Sequence, residues 1–174
     1  MKRRSALALV GQVSLASLFT LAAAGCGFKL RGNQNFAFST IEITPNPGGA
    51  VAGELRRSFG GAVRVLGPDE PPAEAQVVVD ILQEQREKTV VGVNSSGQVR
   101  EFQLRIRVNF RVRGRDGKEL LPETEIVQRR DISFNESAVL AKEAEEALLY
   151  RDMQSDIVQQ LRRRLAVVSY AASP

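Results

Sequence analysis

From Phe102 to Arg113 apolar and polar residues alternate without a break. Phe102, Leu104, Ile106, Val108, Phe110 and Val112 hold one parity, and Gln103, Arg105, Arg107, Asn109, Arg111 and Arg113 the other. Period two is a β-strand with one buried and one wet face; a helix would scatter the apolar set around its circumference. Each apolar side chain buried in this way contributes roughly 1.5–3 kcal/mol. The pattern predicts a strand over Val99–Arg113. It pairs with a long strand over Val77–Val91 through the turn Asn94-Ser95-Ser96-Gly97, whose Asn and Gly tolerate positive φ. Arg115-Asp116-Gly117-Lys118 signals a second hairpin, with its return strand over Glu123–Phe134.

Upstream, Phe38, Ile41 and Ile43 predict a first strand, stopped by Pro45-Asn46-Pro47-Gly48-Gly49. Val51, Leu55 and Phe59 lie a turn apart on a short helix over Ala50–Phe59, ended by Gly60-Gly61. Val63–Leu66 reads as a short edge strand. From Glu136 the period becomes helical, with Leu140, Ala144, Ala147, Tyr150, Met153, Ile157, Leu161, Leu165 and Val168 at spacings of three or four. Asn135 fits an N-cap, and Arg162, Arg163 and Arg164 late in the helix complement its dipole. The expected fold is an α+β two-layer sandwich: an antiparallel sheet of about four strands packed on two helices, the longer one C-terminal.

The first residues carry a different pattern. Lys2, Arg3 and Arg4 precede a charge-free apolar run from Ser5 to Ala24, which leads through Ala23-Ala24-Gly25 into Cys26, the one cysteine of the chain. This resembles a bacterial lipoprotein signal, removed from fold reasoning as residues 1–25. Cys26 then carries an N-acyl diacylglyceryl group and opens the mature chain. Several acyl chains, at about 0.8 kcal/mol per buried methylene, make a stable anchor. A permanent transmembrane helix is the alternative, but Ser5, Gly11, Gln12, Ser14, Ser17 and Thr20 dilute the run. Residues 26–35 read as a tether and 36–174 as a single domain. Gly27, not Asp, follows the cysteine, which in bacterial sorting favours the outer membrane.

Processing changes the charge balance. Three of the 24 basic residues lie in the leader, leaving 21 against 20 acidic ones. The basic character of the whole chain therefore says little about nucleic acid, which the compartment also excludes. The chain has no histidine, and its thiol is committed to lipid. Gly-rich phosphate loops, GxSxG and metal-ligand spacings are absent, so no cofactor and no enzyme is expected. What remains is a local excess of charge: seven basic and two acidic residues between Arg100 and Lys118. Arg105, Arg107, Arg111 and Arg113 share one strand face. That face is either solvated, with Arg111 and Arg113 pairing to Glu123 or Glu125, or it is a surface for anions or an acidic partner, since guanidinium forks suit phosphates and carboxylates.

Three stretches carry a family resemblance. They are Cys26-Gly27-Phe28-Lys29-Leu30-Arg31-Gly32, the hairpin Gly97-Gln98-Val99-Arg100-Glu101-Phe102-Gln103-Leu104, and the helix from Leu140-Ala141-Lys142-Glu143 to Arg162-Arg163-Arg164-Leu165. Together they resemble the LPS-assembly lipoprotein family, LptE. The resemblance implies an outer-membrane lipoprotein, anchored on the periplasmic side, that plugs the LptD β-barrel, supports its assembly and binds lipopolysaccharide. Lys142 matches a basic position of that family implicated in lipopolysaccharide contact. The second basic position is expected near Ser95; Arg100 is the candidate to take its place. Arg105, Arg107, Arg111 and Arg113 are candidates for barrel or anion contact. A pilot lipoprotein of another envelope machine, or a periplasmic lipid carrier, would use the same sandwich and tether.

Overall fold

The computed structural model describes residues 34–169. The expected leader, Cys26 and most of the tether lie outside the described residues. The elements run β1 (Thr40–Thr44), α1 (Ala50–Ser58), β2 (Arg64–Val65), β3 (Val77–Val93), β4 (Val99–Gly114), β5 (Glu119–Ser133) and α2 (Val139–Ala166). One sheet orders them β2-β1-β3-β4-β5, with both helices on one face.

The alternation of β4 holds. Leu104, Ile106, Val108, Phe110 and Val112 are wholly buried beneath the helices, while the arginines between them face out. From α1, Val51, Ala52 and Leu55 close one side of this floor. From α2, Met153, Ile157, Leu161 and Leu165 close the other. Among the described residues the buried apolar side chains run from Phe38 to Val168.

Two expectations change. The sheet has five strands, and it is mixed: β1 pairs parallel to both β2 and β3, whereas β3–β4 and β4–β5 are antiparallel hairpins. The cause is α1, a crossover that returns the chain so that β2 runs alongside β1 in the same sense. Strand β5 also begins earlier than expected. Pro122, which has no amide to donate, is accommodated because β5 is an edge strand with a register shift opposite Phe110 and Val112.

The decisive irregularity is a bulge in β3. Ile81 stands opposite Phe110, but Gln83 stands opposite Asn109, and Leu82 between them is 45% exposed. A one-residue slip exchanges the faces of a strand. Before it, Val77, Val79 and Ile81 face the helices; beyond it Glu84, Arg86 and Lys88 do so. Each then reaches the helical layer. Glu84 accepts from the Val51 amide at 3.1 Å, at the start of α1. A Cβ at Gly49 would meet the Glu84 carboxylate and displace it from this bond. Arg86 donates to Gln154 at 2.7 Å, and Lys88 to Glu146 at 2.6 Å.

The long helix therefore has two halves. From Met153 onward it packs on apolar floor. Its first half buries less: Leu149 and Tyr150 are partly buried against the core, while Leu140, expected in the apolar stripe, is 83% exposed and Leu148 is 54% exposed. Leu161→Ala should cost about 2–5 kcal/mol by leaving a cavity. Leu140→Ala should stay within about 0.5 kcal/mol of the parent. Denaturant unfolding of both variants checks the division.

Candidate functional site

At the far end of the sandwich the β3–β4 hairpin runs past the packed core. Its turn is tied by Asn94, whose Oδ1 accepts from the Ser96 and Gln98 amides at 3.0 and 2.9 Å, with Gly97 at φ 79°. The Phe134 amide donates to the Arg100 carbonyl at 2.7 Å, holding the end of β5 against β4. Asn135 then caps a single 3₁₀ turn by accepting from the Ser137 amide at 3.1 Å, and α2 starts back over the sheet.

The space between that helix start and the sheet is a cleft of about 220 Å³. Phe102, Ile132, Phe134 and Val139 supply its apolar lining, with Phe102 and Phe134 edge to face at 5.3 Å. Two ammonium groups, Lys88 and Lys142, and two carboxylates, Glu143 and Glu146, complete the lining. Lys88 Nζ lies 4.3 Å from the centre of the Phe102 ring and pairs with Glu146 at 2.6 Å. Lys142 Nζ donates to Ser133 Oγ and Glu145 Oε2, each at 2.9 Å. An ammonium has three N–H donors, so Lys142 retains one for a ligand. Chemically, the cleft offers apolar contact beside ammonium donors whose charge the neighbouring carboxylates balance, which suits the polar edge of an amphiphile through hydrogen bonds rather than net charge. Among the described residues no cluster of acidic or thiol side chains is arranged to hold a metal.

Of the residues singled out from sequence, Lys142 lines the cleft. Arg100 does not: it lies on the same face of β4 as Phe102, two residues towards the turn, exposed, and donates to Gln98 Oε1 at 3.4 Å. Lys88 is the lining cation that sequence reasoning missed. Its signal is the hairpin register, which sets it opposite Leu104 only once the bulge at Leu82 is known.

The arginine face of β4 is not bare. Arg105 pairs with Glu87 at 2.6 Å and Arg107 with Glu125 at 3.3 Å. Arg111 and Arg113 pair not with Glu123 or Glu125 but with Asp80 on β3, at 2.8 and 2.9 Å. The register shift at Pro122 removes a carboxylate from opposite Arg111, and Glu123 takes the Asn109 amide instead. Burial alone would raise the Asp80 carboxyl; hydrogen bonds from Arg113, Arg111 and Thr44 outweigh it and hold the pKa at about 2.

The family model for LptE, described as Lipopolysaccharide-assembly, matches residues 38–165. The LPS-assembly lipoprotein LptE of Photorhabdus laumondii is 31% identical over 163 residues, covering 90% of this chain and 86% of the relative. The chain belongs to the LptE family. The solution structure of lipoprotein B from Nitrosomonas europaea is similar at 34% identity and a TM-score of 0.71, covering 83% of this chain and 94% of that one. Rare lipoprotein B from Shewanella oneidensis, at 20% identity and a TM-score of 0.61 over 73% and 93% of the two chains, shares the fold. The span that matches the LptE family takes in the cleft, Lys142, Arg100 and the arginine face.

Asp80 has a depressed pKa, so its contribution is present above about pH 4 and lost as the pH falls towards 2. The contribution is at most about 2 kcal/mol, since the half-exposed guanidinium groups are screened by solvent. Asp80→Asn should lower stability at neutral pH and flatten its pH dependence between about pH 4 and 2. Thermal melts across that window read both effects.

Proposed function

We propose that the mature chain is an outer-membrane lipoprotein, anchored through acylated Cys26 on the periplasmic side. It forms a complex with the LptD β-barrel, plugs it, supports its assembly and binds lipopolysaccharide during transfer to the outer leaflet. Membership of the LptE family supports the pathway. The cleft supports the ligand: Lys142 and Lys88 flank aromatic lining, matching a phosphorylated, acylated lipid. Arg100 adds a guanidinium fork just outside it. No covalent step is involved, and the protein is not an enzyme.

The observation that carries this reading is Lys142, the family's basic position, standing in an apolar cleft with a free donor. A periplasmic carrier would need to enclose its lipid. A cleft of about 220 Å³ is smaller than the ~300–1,000 Å³ that holds a drug-sized ligand. It admits a headgroup or the edge of a chain, as a contact made in passing would require. On the opposite sheet face, the paired arginines present alternating charge suited to the polar lumen of a barrel.

The double reversal Lys142→Glu with Arg100→Glu should weaken lipopolysaccharide binding. Each lost charge-assisted hydrogen bond costs roughly 1.5 kcal/mol, about tenfold in affinity. The tagged full chain should still copurify with the barrel, which controls for folding. Undiminished binding would remove the cleft from the account. Copurification with a secretin in place of a barrel would favour the pilot reading.

A further inference from the structure

Most arginines on the sheet have a carboxylate partner; among the described residues the four on the long helix do not, and while Arg151 bonds the Ala147 carbonyl the other three are consecutive. Arg162, Arg163 and Arg164 form the last turns of α2, at the opposite end of the molecule from the cleft. Among the described residues none of them lies within ion-pair distance of an acid. Arg162 lies 6.0 Å from the Phe36 ring centre and 5.9 Å from that of Phe59. Arg164 lies 5.7 Å from that of Phe110. Arg163 points out between them, and next to this turn Val167 is 82% exposed.

A favourable helix dipole accounts for positive charge here but not for this geometry. Arg162 and Arg164 lean over rings and make no hydrogen bond to the terminal carbonyls. Arg162 Nε and Arg164 Nη1 are buried without a hydrogen-bond partner among the described residues, both side chains are half-buried, and Arg163 alone of the three is exposed. The exposed Arg163 guanidinium is therefore the one with its whole N–H edge open to phosphate oxygens, and the half-buried Arg162 and Arg164 add positive charge on either side of it.

The chain's connectivity says what lies near. Phe36, under Arg162, is ten residues from Cys26. Ten residues reach at most about 36 Å when fully extended. If Cys26 is acylated, as the proposed function holds and as this inference requires, the arginine cluster is confined within that reach of the bilayer. A tether of this length makes docking effectively intramolecular, so a few weak charge contacts suffice. We propose that the Arg162–Arg163–Arg164 end of α2 docks on anionic phospholipid headgroups of the leaflet that holds the anchor, with Val167 against the interface. Docking there would set that end of the domain against the membrane and point the cleft away from it.

The test uses the mature chain with Cys26→Ser and vesicles with or without phosphatidylglycerol. Cosedimentation should require phosphatidylglycerol and fall with added salt. Neutralising a basic residue near an anionic surface costs about fivefold in partitioning, so Arg163→Gln should lose about fivefold and the triple Gln variant about a hundredfold. Arg163 is exposed, so R163Q leaves folding intact even if the triple variant loses its ring contacts. Equal binding to neutral vesicles, or binding unchanged in R163Q, would overturn the proposal. Binding only to lipopolysaccharide aggregates would overturn it as well, by giving the arginines to the other lipid. Acylation is read separately, from the mass of the N-terminal peptide of membrane-extracted chain. An unmodified Cys26 overturns the anchor reading itself, whatever the vesicles do.

Discussion

Strand β4 must have its apolar face covered, and the helices cover only part of it. A 17-residue strand such as β3 extends about 55 Å, whereas a 28-residue helix extends about 42 Å. The hairpin therefore overhangs the helical layer. The bulge at Leu82 fits β3 to this mismatch by turning its apolar set inward before the slip and, after it, the charged set that bonds the helices. Without that slip, Glu84, Arg86 and Lys88 would face the outer side, and α1 would lose the carboxylate at its start. The cleft lies where coverage ends: aromatic lining from β4 and β5, a helix start above, and lysines held by carboxylates at the sides.

The parts legible in the sequence were those governed by one segment's own period. The alternation of β4, the stripe of α2 from Met153 onward and the two hairpin turns follow from local pattern. What was not legible depends on two segments meeting. The parallel pairing of β1 with β2 and β3 leaves no local mark, because a buried strand looks alike in either sense. Leu82 reads as one more apolar residue in an apolar run, yet it is the bulge. Asp80 was hidden as the partner of Arg111 and Arg113 because it belongs to the preceding strand, while the nearer glutamates are displaced at Pro122. Lys142 was singled out by family resemblance rather than by pattern. Its neighbour Lys88 had no mark of either kind.

Charge in this chain is sorted by partnership more than by amount. The outward arginines of β4 are matched by acids within the sheet, so that face presents ion pairs rather than free cations. The cleft lysines are each held by one carboxylate and keep donors in reserve. At the end of α2, Arg162 and Arg164 rest on aromatic rings and Arg163 faces out. These three settings suit three surroundings: a polar protein wall, an amphiphilic ligand, and an anionic surface near the anchor.

The claim on which the account turns is that lipopolysaccharide passes the cleft side of the sheet. A photoreactive residue at Val139, in the cleft, compared in cells with one at Gln85, on the outer face, tests it most directly. The account predicts cross-links to lipopolysaccharide from position 139 and to protein alone from position 85. Lipopolysaccharide captured at position 85 and not at 139 would contradict it.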